Sequence, residues 1–116
     1  MADIVIYRET IRKYLQDYAN LVASSALETE QAIETEVVFD TEHDHYQLVN
    51  VGWQDEHRIY GCVVHIDIKD DKLWIQHNGT ELPVAEDLAR LGIPKDHIVL
   101  GFQAPIRRQY SDFAVN

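Results

Sequence analysis

Between Thr35 and His77 the chain alternates β-branched and apolar runs with very short polar breaks. Breaks of this length join only antiparallel neighbours, because a parallel crossover needs about a dozen residues or more. The pattern predicts a meander. Thr35 to Phe39 reads as a first strand, and Asp40-Thr41-Glu42-His43-Asp44 as a turn in which Asp and Thr side chains bond nearby backbone. His45 to Trp53 is a second strand, Gln54 to His57 a tight loop, and Arg58 to Ile68 a long third strand. Lys69-Asp70-Asp71-Lys72 turns the chain into a fourth strand, Leu73 to His77.

Turn tips at Asp55-Glu56 and Asp70-Asp71 set a register in which Val49 opposes Cys62 and Ile66 opposes Ile75. Strict period-2 alternation then puts Val49, Val51, Trp53, Tyr60, Cys62, Val64, Ile66, Ile68, Leu73 and Ile75 on one face. That face should receive a helix. The other carries Val37, Phe39, Tyr46, Leu48, Val63 and Trp74, mixed with His65, Asp67 and Gln76. An apolar face of that kind calls for a partner or a covering element.

The helix comes first in the chain. Ile4, Tyr7, Ile11, Tyr14, Tyr18 and Leu21 recur at spacings of three and four, widened by Leu15 and Val22, with Asp3 placed to cap. A coiled-coil seam would show the same stripe, but three heptads are its bare minimum; packing on a sheet is expected. Residues 23–34 read as helix end and connection. Pro83 opens a second, short helix through Ala85, Leu88, Ala89 and Leu91, stopped by Gly92 and Pro94. Ile98 to Leu100 reads as a short edge strand and residues 101–116 as an extended tail. The expectation is one α+β domain over residues 1–116. A long N-terminal helix packs on an antiparallel sheet of four strands or slightly more.

Charge narrows the function. The net charge is −10. Residues 1–58 hold a balance of −8, and Glu28 to Glu56 holds nine acids with no Lys or Arg. Such a field repels phosphates, so direct nucleic-acid binding is not expected. It attracts basic protein surfaces, although surplus acid also keeps small proteins soluble. Arg8, Arg12, Lys13, Arg107 and Arg108 are expected in salt bridges. With no apolar run beyond four residues, no membrane span or secretory leader is expected, and the single Cys62 excludes an internal disulfide. These features suit a cytoplasmic protein.

Candidate chemistry is sparse. His43 and His45, among Asp40, Glu42 and Asp44, resemble a divalent-metal cluster without matching a strong ligand spacing. His65 and Asp67 share a strand face, with Gln76 opposite His65 in the predicted register, as a general-base pair would, and His45 completes a polar group. No nucleophile is evident beside them, since Cys62 is assigned to the other face as a small hydrophobe. The sequence therefore implies no catalytic residues, no metal centre and no cofactor. The His77-Asn78-Gly79-Thr80 segment is a turn, not a phosphate loop.

The ordered strand segments resemble the XisI family of fdxN element excision controlling factors. The likeness lies in Phe39-Asp40-Thr41-Glu42, Asp44-His45-Tyr46-Gln47-Leu48 and Val51-Gly52-Trp53, then Tyr60 to Ile68. It continues through Lys72-Leu73-Trp74-Ile75-Gln76, Gly79-Thr80-Glu81, Gly92-Ile93-Pro94-Lys95, Ile98 to Phe102 and Phe113-Ala114-Val115. The resemblance implies a cyanobacterial accessory factor for programmed DNA rearrangement in heterocysts. A separate recombinase would do the cutting, and a companion, XisH, with an endonuclease-like fold would be the partner. It carries over no catalytic residues. His43 stands where many relatives are expected to carry Arg, and Asn78 where an acid is expected.

Three readings follow. In the first, a non-enzymatic factor acts as a homodimer or higher homo-oligomer, or with an XisH-type partner, through Tyr46, Leu48, Val63, Trp74 and Phe113. In the second, an antitoxin-like inhibitor presents Glu34, Glu36, Asp40, Glu42 and Asp44 to a basic nuclease groove. In the third, a small metal-dependent hydrolase uses His45, His65 and Asp67.

Overall fold

The computed structural model describes residues 3–26 and 32–116. Part of the predicted connection, residues 27–31 with Glu28 and Glu30, lies outside the described residues. The chain runs α1 (Ile4–Ala26), β1 (Ala32–Asp40), β2 (His45–Gln54), β3 (His57–Lys69), β4 (Lys72–Asn78), α2 (Val84–Arg90), β5 (Ile98–Leu100) and α3 (Pro105–Arg108). A single 3-10 turn, Lys95–His97, precedes β5. The five strands form one sheet in chain order. β1 to β4 are antiparallel and β5 adds in parallel beside β4. This is the expected α+β architecture, enlarged by β5. The tail is not simply extended: it forms α3 and returns as a parallel bridge from Ala114 to Val99.

Local chemistry explains the boundaries. The Ile6 amide donates to Asp3 Oδ1 at 3.3 Å, the expected cap of α1. The helix ends one turn later than predicted. Asp70 and Asp71 both have positive φ, 53° and 62°, as a two-residue hairpin with the strands' right-handed twist requires. Asp44 closes the β1–β2 turn at φ 59°. Asp tolerates this conformation because its short side chain can bond locally.

The two predicted strand pairs are present: Val49 opposes Cys62 and Ile66 opposes Ile75. The faces are not as expected. Between Leu48↔Val64 and Val49↔Cys62, β3 carries one extra residue, Val63. Between His65↔His77 and Ile66↔Ile75, β4 carries Gln76 as the extra residue. Each bulge breaks the period-2 alternation. Tyr46, Leu48, Val64, Ile66, Leu73 and Ile75 consequently share the face under α1, fully buried. Val49, Val51 and Trp53 lie on the opposite face, and the bulge carries Tyr60 and Cys62 there with them.

The core lies on one side of the sheet. α1 buries Tyr7, Ile11, Leu15 and Ala19, an i, i+4 row, while Leu21 is 64% exposed and falls outside the stripe. α2 adds Val84, Ala85 and Leu88, joined by Ile93 and Ile98. Polar ties fix the helices. Arg8 makes a bidentate ion pair with Asp44 at 2.8 and 3.1 Å, and the Tyr46 hydroxyl donates to the same carboxylate at 2.9 Å. The Tyr14 hydroxyl donates to Asp87 of α2 at 2.6 Å.

These positions correct the predicted interface. Tyr46 and Leu48 are core residues, because the bulge at Val63 brings Val64 and Ile66 of β3 onto their face of the sheet, the face that α1 covers. Val63 and Phe113 pack partly against that core. Trp74 does face the other side but is half-buried by its own chain, with Lys69 and Arg108 at 5.0 and 5.3 Å from its ring. The five residues do not form one surface.

Leu48→Ala is expected to cost about 2–5 kcal/mol, the range for emptying a core leucine site. Trp53→Ala, at a half-exposed position, should cost far less. Urea unfolding of both variants checks this; equal costs would contradict the assignment of faces.

Candidate functional site

With α1 and α2 packed on one side of the sheet, its other face is exposed over β1 to β3. At its β1–β2 turn end, four polar side chains come together. His45 of β2 stands directly opposite Asp67 of β3, and His65 lies two residues before Asp67 on the same face. His45 Nδ1 lies 2.8 Å from Asp67 Oδ1, and His65 Nε2 lies 2.7 Å from the same oxygen. The bulged Gln76 donates its amide to Asp67 Oδ2 at 3.3 Å. The polar group expected from the sequence is thus assembled as a carboxylate held by two imidazoles and an amide. It lines an open depression of about 380 Å³, together with Val38, Asp40 and Gln47.

The electrostatics follow from those contacts. Burial pushes the Asp67 carboxyl up, but hydrogen bonds from His45 and His65 outweigh it and hold it below the ordinary carboxylate range. The same bond to Asp67 holds the His45 imidazole above its ordinary range, against a smaller desolvation effect. Cys62, expected to be buried, is exposed. Its thiol is raised chiefly by desolvation and its only hydrogen bond runs to the Val64 carbonyl, among the described residues. A thiol held protonated is a poor nucleophile. The cluster can hold a proton or an ion, but no activated nucleophile adjoins it among the described residues.

His43 does not join the cluster by hydrogen bonding. Its Nδ1 lies 2.8 Å from Asp40 Oδ2, while its ring stacks beside His45 at 6.5 Å between centroids. Asp40 Oδ1 also accepts the Glu42 and His43 amides, as turn chemistry predicts. These bonds hold the Asp40 carboxyl below its ordinary range, the His43 side-chain bond first among them.

The predicted acidic face divides. Glu34, Glu36 and Glu42 are exposed; the first two lie on the outer face of β1, opposite Val51 and Val49. Asp40 sits at the strand end with its carboxylate partly engaged. Asp44 is spent inside the molecule: its pair with Arg8 holds it ionised despite burial, and Tyr46 adds a second donor. Beside Glu34 and Glu36, the outer face exposes Val38, Trp53 and Tyr60, the last 73% exposed. Arg58 lies 5.2 Å from the Trp53 ring. Sequence reasoning missed this apolar strip, having assigned Trp53 and Tyr60 to the core. A bulge leaves no composition signal that would have revealed it. Of the basic spots, Arg8 and Lys13 are paired as expected, and Arg108 instead binds the Leu100 and Gln103 carbonyls, anchoring the tail.

The His45–Asp67 pair carries a signed pH dependence. A raised His45 contributes stability in full below its ordinary value of 6.5 and loses it as pH rises through the folded value. A depressed Asp67 contributes above 3.8 and loses it as pH falls through its own folded value. Asp67→Asn should therefore cost more stability at about pH 5 than at about pH 9. Urea unfolding at the two values measures it; identical costs would remove the ion-pair role.

Comparison with known proteins adds to this geometry. The family model described as XisI protein matches residues 1–115. A XisI-like protein from Anabaena variabilis is 46% identical, with a TM-score of 0.86 over 98% of this chain and 100% of that one. The fdxN element excision controlling factor XisI from Anabaena variabilis is 26% identical, with a TM-score of 0.75 over 95% and 96%. No functionally curated protein matches. Among the described residues, no helix is long and apolar enough to cross a membrane.

Proposed function

This chain belongs to the XisI family, and from that premise we propose that it is a non-catalytic controlling factor for excision of a DNA element by a separate recombinase. It works as one domain over residues 1–116, in the cytoplasm, through protein contacts. Its partner is an XisH-type protein, with self-association as the other way of covering the same surface. Kinship with a protein named as an excision controlling factor supports the process. The observation that carries the mode of action is the open outer face of β1 to β3.

That face combines Glu34 and Glu36 with Val38, Trp53 and Tyr60. Aromatic anchors beside charges of one sign are the makings of a specific interface: the apolar part gives affinity, the charge gives orientation and encounter rate. β1 is also a sheet edge nine residues long, and exposed charges on such an edge discourage indiscriminate strand pairing. The chain's net charge of −10 opposes direct phosphate contact, so control of a DNA reaction passes through another protein. A second reading draws on the same acids. An antitoxin-like inhibitor would lay Glu34, Glu36, Asp40 and Glu42 into a basic nuclease groove, without Asp44. That arrangement would make binding strongly salt-dependent.

The test is co-expression with the XisH-type neighbour, followed by light-scattering mass after size exclusion. A stable mixed complex is expected. Glu34→Lys with Glu36→Lys, at exposed positions that should leave folding intact, should weaken it about tenfold or more, since like charges then face each other. Unchanged binding by the charge-reversed protein would place the interface elsewhere. Loss of the wild-type complex between low and high salt would favour the inhibitor reading.

A further inference from the structure

The geometry points to a divalent transition-metal site built from His45 Nδ1, His65 Nε2 and Asp67 Oδ1. The three ligand atoms lie within 4.8 Å of one another. Two of the separations, 2.7 and 2.8 Å, meet at the single oxygen Asp67 Oδ1. Ligands bound about 2.1 Å from a common ion stand about 3.0–3.4 Å apart, depending on whether the geometry is octahedral or tetrahedral. The two imidazole nitrogens stand no more than 4.8 Å apart, so the exposed His45 ring must swing toward His65 for all three atoms to close on one ion. The backbone supplies the convergence. Cross-strand register sets His45 against Asp67, period-2 alternation sets His65 beside it, and the bulge at Gln76 delivers the amide that holds Oδ2.

The donor set selects the ion. Two imidazoles and one carboxylate suit zinc, cobalt, nickel or ferrous iron, and disfavour magnesium and calcium, which prefer all-oxygen ligands. Three protein ligands on one side leave further positions facing the open depression, where Asp40 and Gln47 also line the wall. Gln76 on Oδ2 orients the carboxylate in the way that outer-shell partners commonly orient metal ligands. The neighbouring His43 is already paired with Asp40, so it stands beside the site and not in it. The ion would sit on the same outer face as the partner surface proposed above, yet the inference does not depend on that partner.

Untagged protein, stripped with chelator and dialysed, is titrated with Zn2+ by calorimetry near neutral pH and then with Co2+ by visible absorption. One Zn2+ per chain is expected, with a rise in melting temperature, because an ion that binds only the folded state stabilises it. Co2+ should give d–d bands of a nitrogen–oxygen site. His45→Ala, at a half-exposed position, and His65→Gln should each weaken Zn2+ binding at least about tenfold, since loss of even an outer-shell partner commonly costs about 10–100-fold. Circular dichroism verifies that each variant is folded, and the exposed His45 keeps the test open if His65→Gln is not. His43→Ala should leave binding intact. Absence of binding heat and of a thermal shift in the wild type would overturn the proposal. So would Zn2+ binding that survives His45→Ala but is lost with His43→Ala.

Discussion

One residue without a partner across the β2–β3 ladder, Val63, decides where the side chains of β3 go. A strand without a bulge keeps its odd and even positions on fixed faces. The extra residue exchanges them within β3, so that Val64 and Ile66 join Tyr46 and Leu48 under α1 while Tyr60 and Cys62 stay with Val49 and Val51 on the other face. Burying that first set is the main favourable contribution to the fold, since each fully buried large apolar side chain is worth about 1.5–3 kcal/mol. The helix can cover only one end of a sheet whose strands run to 10 and 13 residues. The remainder of β2 and β3 projects beyond the core with its outer face open.

Polar contacts settle what packing leaves free. Hydrophobic burial has no direction, and polar bonds add directional ties to the packing of α1 on the sheet. The bidentate Arg8–Asp44 pair ties α1 to the β1–β2 turn, and the Tyr14–Asp87 bond ties it to α2. Burial, with the bond to Asp44 as the next cause, pushes the Tyr46 hydroxyl up to about 12, so it remains a proton donor throughout the physiological range. The same turn that holds Asp44 delivers His45 to the head of β2, next to Asp67. Core and polar cluster are therefore linked through two adjacent residues, one pointing to each side of the sheet.

The two ends of the outer face differ in chemistry. Near the β1–β2 turn lie imidazoles and carboxylates; toward the β2–β3 turn lie Trp53, Tyr60 and exposed Glu34. The chain belongs to the XisI family, and a relative in it is named as an excision controlling factor. An interface anchored at the aromatic end would leave the His45–Asp67 end near its rim, where an ion with free coordination positions can meet a partner's side chain.

The sequence alone determined the helix at the N-terminus, the meander, the turn tips, and even the pairs Val49–Cys62 and Ile66–Ile75. These are local matters: helical spacing, β-branched runs, and the readiness of Asp to close turns. It also placed His45, His65, Asp67 and Gln76 in one polar group, although the sequence register sets Gln76 opposite His65, where His77 stands, and Gln76 reaches Asp67 only as a bulge residue. It did not determine which face is buried. Period-2 reasoning carries no memory of a bulge, and an error of one residue sends Leu48 outward and Trp53 inward. Only tertiary packing decides that question. The energy that pins Val63 out of register comes from the fit of Leu48 and Val64 beneath α1, a contact between residues far apart in the chain that no local pattern contains.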